Sequence, residues 1–363
     1  MQRLTILESP GPQATNARRR LGGELGLALQ SATTDPARMR PLWTAFSRGE
    51  PVRASDLRSA VSDTFVIEAV RHELLLGVDV GEDEPWLRGS VCIVAADVAS
   101  ELLWVASDFP WYDHDPLAVA GPGAASATLL AAVPDGEHRR VLEVGCGSGA
   151  VGVHLAASPD RTLTASDINS RALALTELTA ALNGRAVRTV RSDFADEIDG
   201  RFDLIVCNPP FILGRPCGRT TFRDATDEAG HSTLATDLAP LLADGGIAVY
   251  LTNWEYGIGG PDPTEQLAAE LANIEGCDVL VLERAVVPIE DYVQVWSDDA
   301  DEQRDWAARF ADRGVAHIGT GIVAVRRTEA REHNVTLAKD FATPRDRLGR
   351  LVGAWATTGI SQR

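Results

Sequence analysis

The chain has 363 residues, 45% of them apolar, and carries a formal net charge of −18 at pH 7. A chain of this length can bury a sizeable core and holds either one large domain with a smaller partner or two domains. The excess of acidic residues argues against a broad nucleic-acid-binding surface, because such a surface needs clustered lysine and arginine.

Neither a targeting segment nor an apolar run of about 18 residues is apparent, so we expect a soluble, cytoplasmic protein that makes no membrane contact. The five cysteines are odd in number and show no Cys-x-x-Cys spacing. This pattern favours neither a zinc site nor a disulfide framework, and no metal is expected.

The first 115 residues are predicted to form a smaller α+β domain. Segments with helical apolar spacing precede a turn rich in Gly, Asp and Glu, and two strand-like runs follow it. This order is typical of a winged-helix-like arrangement. The acidic character of the domain favours a substrate lid or a homodimer surface over nucleic-acid binding. The helical segments are Thr15–Ser31, Ala37–Phe46, Ala54–Val61 and Thr64–Leu74, and the strand-like runs are Gly89–Ala95 and Leu102–Ser107.

A glycine-rich turn follows a predicted buried strand at Val141–Gly149, which reads Val-Leu-Glu-Val-Gly-Cys-Gly-Ser-Gly. Glycines let the backbone approach a ligand closely, and the helix that follows offers free N–H groups at its first turn. The Gly-x-Gly-x-Gly spacing differs from the dinucleotide fingerprint Gly-x-Gly-x-x-Gly. No Walker lysine is present, which argues against a P-loop.

Two aspartates are predicted to end the next two strands. Asp167 follows the strand Thr162–Ser166, and Asp193 follows the strand Ala186–Arg191. Taken alone, an aspartate at such a position is more often a helix cap or a solvated loop residue. Together they lie at the carboxyl ends of strands, where open α/β sheets bind ligands.

The tetrapeptide Asn208-Pro209-Pro210-Phe211 follows the strand-like run Phe202–Cys207. Two consecutive prolines fix φ and remove two backbone donors, which stiffens the chain as it leaves the sheet. The Asn208 side-chain oxygen and the Pro209 carbonyl can then accept both hydrogens of one planar amino group, and Phe211 offers a face for stacking. The alternative is a turn that merely ends a strand.

Three residues further along are weaker candidates for binding a substrate. Arg223 and His231 lie on the loop that should cover a substrate, although a surface ion pair and an exposed histidine are the plainer interpretations. Trp254, which follows the predicted strand Gly246–Thr252, forms either a pocket wall or part of the core. Further on, Asp291–Trp296 is predicted to begin a strand pair.

On these motifs the chain resembles the class I S-adenosylmethionine-dependent methyltransferases. More narrowly, it is similar to the branch that combines Glu-Val-Gly-Cys-Gly with Asn-Pro-Pro-aromatic, which includes release-factor glutamine, ribosomal-RNA guanine-N2 and adenine-N6 methyltransferases. Val141–Phe211 carries the best match, and the whole chain also resembles actinobacterial small-domain methyltransferases with an added N-terminal region. The resemblance implies an α/β fold with a Rossmann-like seven-stranded sheet whose final strand is antiparallel. We place this domain at residues 116–328 and a helical, partly disordered tail at residues 329–363.

The same resemblance implies the roles of the site residues. The cofactor would be S-adenosyl-L-methionine, held by residues on the glycine-rich loop and at the strand ends. Asn208, Pro209, Pro210 and Phe211 would hold the nucleophile. The segment Phe109–Asp115 would close over cofactor and substrate, unless it is a linker packed by its own aromatic rings. The cofactor-binding residues are Glu143, Gly145, Cys146, Gly147, Asp167, Ile168, Asp193, Phe194 and Asn208.

The expected function is therefore methyl transfer to a planar amide or aromatic-amine nitrogen. The chain has Phe211 where the glutamine methyltransferases usually carry Tyr, and Ala120–Ser126 replaces their Pro-Arg-Pro-x-Thr-Glu loop, which argues against a release-factor substrate. The acceptor stays open between a small molecule, a protein side chain and a nucleic-acid base. Alternatives are a small-molecule N- or O-methyltransferase of secondary metabolism and a catalytically silent scaffold that binds the cofactor.

Overall fold

The computed structural model describes residues 12–112, 115, 117–214, 230–328 and 334–358. Within these residues no helix has the length and apolar character needed to cross a lipid bilayer. The helices, in chain order, are α1 Pro12–Ala32, α2 Pro36–Leu42, α3 Ala54–Ala60, α4 Asp63–Arg71, α5 Ala124–Ala132, α6 Ala150–Leu155, α7 Ser170–Leu182, α8 Gly230–Leu238, α9 Pro263–Leu271, α10 Ile289–Trp296, α11 Ala300–Asp312 and α12 Leu348–Thr358.

The strands are shorter in the first part of the chain than in the last. In chain order they are β1 Val52–Arg53, β2 Leu75–Val78, β3 Trp86–Gly89, β4 Cys92–Val98, β5 Glu101–Ser107, β6 Arg140–Val144, β7 Thr162–Asp167, β8 Arg188–Arg191, β9 Phe202–Cys207, β10 Leu242–Gly257, β11 Cys277–Pro288, β12 Val315–Arg327 and β13 Val335–Lys339.

The chain folds as two compact units, and each is formed by two stretches of sequence. Unit 1 comprises Met1–Gly123 and Cys146–Asp193, and unit 2 comprises Ala124–Gly145 and Phe194–Arg363. The predicted three-domain division at residues 115 and 328 stays a prediction.

The N-terminal part of unit 1 has the element order α2–β1–α3–α4–β2–β3, with an antiparallel three-stranded sheet in the order β1–β3–β2. This is the arrangement of helices and hairpin that defines a winged helix. The strand positions differ from the prediction, because the acidic, glycine-containing turn at residues 79–85 joins β2 to β3 instead of preceding both strands. The predicted runs at residues 89–95 and 102–107 belong mainly to a separate hairpin, β4–β5.

Unit 1 is held together by close packing of α1 against α7. A Cβ placed on Gly26 would lie 2.0 Å from the Leu182 carbonyl oxygen, so only glycine permits this approach. Glycine inside a helix costs about 1 kcal/mol relative to alanine, which the burial of Leu21 and Leu25 on the same helix offsets. The ordering of α7 matters because its N-terminus follows Asp167 directly.

Unit 2 contains a mixed sheet of six strands in the order β13–β11–β12–β10–β9–β6. Strands β6, β9 and β10 are parallel, whereas β12 is antiparallel to both β10 and β11. Unit 1 contributes the parallel pair β7 and β8. Within each unit, parallel strands joined through helices have the α/β arrangement that the resemblance implies, and in unit 2 β12 is the antiparallel strand.

One prediction in unit 2 was wrong, and another differs from the structure in part. Residues 329–363 were expected to be a helical, partly disordered tail; Leu348–Thr358 is helical, whereas Val335–Lys339 pairs in parallel with β11 as an additional strand. Residues 291–296 were expected to begin a strand pair and instead form most of α10. The β-branched residues favour a strand there, but Ile289, Tyr292 and Val293 are buried at helical spacing while Val295 is 73% exposed.

A charged cluster ties the additional strand to its neighbours. Glu283 of β11 is 1% exposed and accepts hydrogen bonds from Trp254 Nε1 at 2.9 Å and from the Tyr256 hydroxyl at 2.6 Å. Lys339, the chain's single lysine, lies 3.5 Å from Glu283 and donates to Asp262 at 2.6 Å. Burial acts to raise the pKa of Asp262, but the hydrogen bonds to this carboxylate, led by that of Lys339, bring it to about 2.

We expect Lys339→Met to lower the free energy of unfolding at pH 7 by roughly 1 kcal/mol, allowing for solvent screening of a partly exposed pair. A depressed carboxylate pKa gives stability that is present above the unfolded value, about 3.9, and is lost as pH falls through the folded value of about 2. Urea unfolding between pH 7 and pH 2.5 should therefore show a smaller acid-dependent loss in the variant.

The control is Lys339→Arg, which keeps the positive charge and should follow the wild type. If the methionine variant lost stability between about pH 4 and pH 2 as steeply as the wild type, the ion pair would not be the cause.

Candidate functional site

The buried strand β9 delivers Asn208 to the carboxyl end of the parallel strands of unit 2. Leu204, Ile205 and Val206 are fully buried, which fixes the register of the strand against both neighbours. The side-chain oxygen of Asn208 is buried and has no hydrogen-bond partner, one of two such atoms among the described residues. An unpaired buried acceptor costs about 1–3 kcal/mol, so this oxygen is expected to meet a donor that the chain does not supply.

Pro209 and Pro210 follow, and the chain is then fixed by three side chains that sequence reasoning missed. Asn253 Nδ2 donates to the Phe211 carbonyl at 3.0 Å. The Tyr292 hydroxyl accepts from Leu213 N–H at 2.8 Å, and Trp306 Nε1 donates to the Leu213 carbonyl at 3.0 Å. We call Asn253, Tyr292 and Trp306 the exit clamp. Asn253 follows the predicted strand Gly246–Thr252, which was the one available signal, although β10 itself continues to Gly257.

The Phe211 ring itself is half-buried and contacts Trp296 of α10. The two ring centroids are 5.9 Å apart at an interplanar angle of 66°, an edge-to-face arrangement. Because residues 291–296 were predicted to be strand, Trp296 was not among the candidates.

Unit 2 contains Glu143, on strand β6, and Gly145, the first glycine of the glycine-rich loop. Glu143 of β6 is 5% exposed. Gly145 has φ +70°, in the left-handed region that favours glycine, and a Cβ there would meet only the Asn208 carbonyl oxygen at 3.9 Å. The backbone of Gly145 and the first residue of the Asn-Pro-Pro-Phe motif are therefore neighbours within this unit.

The rest of the loop lies in unit 1. Cys146 is buried and its N–H donates to the Ser166 carbonyl at 2.9 Å, next to Asp167 in sequence. Gly147 has φ +52°, and its N–H donates to Asp167 Oδ2 at 3.0 Å. Gly149 has φ +76° and lies against Thr176, so a Cβ there would be 2.7 Å from that side chain. Gly147 and Gly149 are favoured because both have positive φ. Gly149 is also required because α7 lies too close to leave room for a side chain.

Asp167 at the end of β7 organises this loop. Its Oδ2 accepts from Gly147 and its Oδ1 accepts from Asn169 N–H at 2.9 Å. Burial raises the pKa of Asp167, and the two backbone donors act in the opposite direction. An ionised carboxylate can accept about four hydrogen bonds, so each oxygen retains capacity for a hydroxyl donor. The adjacent Ile168 is 42% exposed, which leaves its apolar side chain accessible.

Asp193 and Phe194 follow β8, as predicted. Asp193 is exposed, and Phe194 is 41% exposed with φ +44°. A bulky residue with positive φ is uncommon and strained, and such residues cluster at ligand-binding positions. Each of the two side chains remains accessible at the carboxyl end of its strand.

The segment that begins at Phe109 contains aromatic rings that pack on each other, and its closure over cofactor and substrate stays a prediction. Phe109 is buried and stacks on Trp111 with ring centroids 4.3 Å apart. Further along, the Leu117 carbonyl accepts a hydrogen bond from Asn169 Nδ2 at 3.0 Å. Val119 is buried, and its N–H donates a hydrogen bond to the Asp108 carboxylate. The aromatic part is thus packed by its own rings, and the following part lies beside the residues that flank Asp167 in unit 1.

The three weaker substrate candidates have different outcomes. Trp254 is 5% exposed, donates to Glu283 and packs on β12, where a Cβ at Gly319 would be 1.9 Å from its Nε1. Arg223 lies outside the described residues, as does the side chain of His231. Across the part of the chain that the structure describes, no cluster of three His, Cys, Asp or Glu residues could hold a metal.

Comparison with known proteins gives a family for the central part of the chain. Residues 119–233 match the model described as methyltransferase small domain. The ribosomal RNA small subunit methyltransferase C of Shewanella loihica is 47% identical over 76 residues, which are 21% of this chain and 22% of that protein. The release factor glutamine methyltransferase of Lactococcus lactis is 32% identical over 125 residues, or 34% of this chain and 43% of that protein.

Among solved structures, the T. thermophilus 16S rRNA N2 G1207 methyltransferase in complex with AdoMet and guanosine is 16% identical. The match covers 77% of this chain and 64% of that one, with a TM-score of 0.40. The aligned region spans less than half the length of either curated relative. Residues 119–233 are therefore similar to a methyltransferase small domain, and the strands around them have an α/β arrangement.

Proposed function

We propose that the protein is an S-adenosylmethionine-dependent methyltransferase that acts on a planar amide or aromatic-amine nitrogen. The observation that carries this proposal is the buried, unpaired Asn208 Oδ1 at the end of β9. An acceptor in this state suits a substrate N–H donor, and the same motif is typical of nitrogen methyltransferases. The Pro209 carbonyl is the second acceptor that we assign to the amino group.

S-adenosylmethionine, which one solved structural neighbour contains, fits the chemistry of the loop and strand ends. Its sulfonium supplies an activated methyl group, so the reaction needs placement of the nucleophile more than acid–base assistance. We assign the methionine part to the backbone of Gly145–Gly147, ordered by Glu143. Asp167, with acceptor capacity left on both oxygens, suits a ribose diol. Ile168, Asp193 and Phe194 would then surround the adenine.

An amide or aromatic amine is a weak nucleophile because its lone pair is delocalised. Two acceptors on its hydrogens, Asn208 Oδ1 and the Pro209 carbonyl, favour pyramidal nitrogen and stabilise the positive charge that develops during transfer. The proton leaves afterwards to solvent, so no catalytic histidine is required. The exit clamp supports this role because it fixes the backbone that follows the motif.

The relatives act on ribosomal RNA or on a release factor, as their names state. The net charge of −18 disfavours an extended nucleic-acid contact, and Phe211 differs from the tyrosine usual in glutamine methyltransferases. We therefore propose that the methyl group is transferred to a nitrogen atom. Experiment decides whether that nitrogen belongs to a small molecule or to a macromolecule. A homodimer and a cytoplasmic location remain predictions, and a silent scaffold would have no chemical need for Asn208.

We expect isothermal titration to show micromolar binding of S-adenosylmethionine and S-adenosylhomocysteine to the wild type. Asp167→Ala should weaken it by about 1.5–3 kcal/mol, the value of a hydrogen bond to a charged group. The matched control is Asp160→Ala, an exposed aspartate in the same unit whose loss removes the same charge. A folded wild type that binds neither ligand would reject both the enzyme and the scaffold hypotheses.

For catalysis, Asn208→Ala should lower the rate of methyl transfer by about 100- to 1000-fold, as loss of one charge-stabilising contact does. The affinity of this variant for S-adenosylmethionine should stay within about threefold of the wild-type value, because the lost hydrogen bond is the one proposed to the methyl-accepting substrate. The assay follows labelled methyl from S-adenosylmethionine into small-subunit ribosomal RNA, a release factor, guanosine and a glutamine-containing peptide. Transfer at the wild-type rate by the variant would show that the motif does not hold the nucleophile.

A further inference from the structure

The aromatic cluster around the end of the Asn-Pro-Pro-Phe motif is buried at its centre and accessible at its rim. Tyr292 is 3% exposed, and Trp306 and Phe310 are fully buried. Phe211 and Trp296 remain half-buried in the same cluster. We call Phe211 and Trp296 the aromatic rim.

The contact between the two rim residues is fixed by the structure around it. The exit clamp holds the Phe211 carbonyl and both backbone groups of Leu213, and Tyr292 of that clamp lies one turn before Trp296 on α10. The Tyr292 and Trp296 centroids are 6.5 Å apart. One helix thus bonds to the backbone after the motif and places a second ring against Phe211.

The chemistry of the rim favours one kind of acceptor. Flat aromatic rings gain about 1–3 kcal/mol by stacking on protein aromatic side chains, whereas a carboxamide on an aliphatic stem offers only a small planar group. Asn208 lies three residues before Phe211 and keeps its acceptor oxygen unpaired. A ring with an exocyclic amine can use both features at once, because its amine reaches an acceptor while its face meets the rim.

We propose that Trp296 is a specificity-determining residue that selects acceptors whose planar nitrogen is attached to a heteroaromatic ring over acceptors with an aliphatic carboxamide. This inference rests on the proposed function, since it concerns the acceptor side of that reaction. The ring could come from a free nucleoside or from a base in RNA, and both share the chemistry that the rim recognises.

Binding of small probes to the full chain tests this directly. The probes are guanosine and adenosine as rings with exocyclic amines, and Nα-acetylglutamine amide as the carboxamide, each titrated with saturating S-adenosylhomocysteine. We expect a nucleoside to bind more tightly than the carboxamide. Trp296→Ala should weaken nucleoside binding about 5- to 150-fold and leave carboxamide binding unchanged, while Trp296→Phe should retain most of the affinity.

Trp43→Ala serves as the matched control, because it removes a tryptophan that is 48% exposed in the N-terminal part of unit 1. It should change none of these affinities. Thermal unfolding and titration with S-adenosylhomocysteine establish that each variant is folded and that the cofactor site is intact. A wild type that does not bind S-adenosylhomocysteine would contradict the proposed function. A wild type that binds it but shows no role of Trp296 in probe binding would contradict only this inference.

Three outcomes would overturn the role of Trp296 in a wild type that binds S-adenosylhomocysteine. These are tighter binding of the carboxamide than of both nucleosides, equal losses for both probe classes in Trp296→Ala, and no nucleoside binding at millimolar concentration. A short single-stranded oligoribonucleotide separates the two sources of the ring. Salt-dependent binding far tighter than that of the nucleoside indicates RNA, and equal affinity indicates a small molecule.

Discussion

The proposed binding site for the methyl-accepting substrate depends on one hydrogen-bond acceptor, the Asn208 side-chain oxygen, which the fold buries without a donor. Asn208 Oδ1 is placed by β9, whose side chains are buried on both faces and whose register is fixed by β6 and β10. The free energy of an unpaired buried oxygen, about 1–3 kcal/mol, is small beside the burial of such a strand. A fold can therefore keep this oxygen unpaired until a ligand supplies the N–H.

Preorganisation explains why the motif needs support from distant parts of the chain. The two prolines restrict the backbone within the motif. The exit clamp fixes the backbone from Phe211 to Leu213 with three hydrogen bonds of 2.8–3.0 Å. Side chains from β10, α10 and α11 converge on three consecutive peptide groups. Acceptors held in this way do not reorganise when charge develops on a substrate, which is the condition for electrostatic stabilisation.

Sequence patterns predicted the parts of the fold that follow local rules. The glycine-rich turn and the strands before Asp167 and Asn208 all carry strong local signals. The misplaced elements, α10 and β13, carry ambiguous ones, since Val293 and Val295 suit a strand and residues 335–339 are too few to show alternation clearly. The exit clamp as a group was missed for another reason, because Asn253, Tyr292 and Trp306 are separated by long stretches and meet only through tertiary packing.

Asp167 has a larger structural role than sequence reasoning gave it. The carboxylate accepts from Gly147 and Asn169 N–H groups, and Asn169 in turn caps α7 and donates to the Leu117 carbonyl. One side chain thereby aligns the glycine-rich loop, the first turn of a helix and the segment before β6. Because this order exists in the chain itself, a ligand that adds hydroxyl donors to the same carboxylate meets a loop that is already fixed. Less conformational entropy is then lost on binding, and the residue that we propose as the ribose-binding carboxylate is also the one that orders the loop.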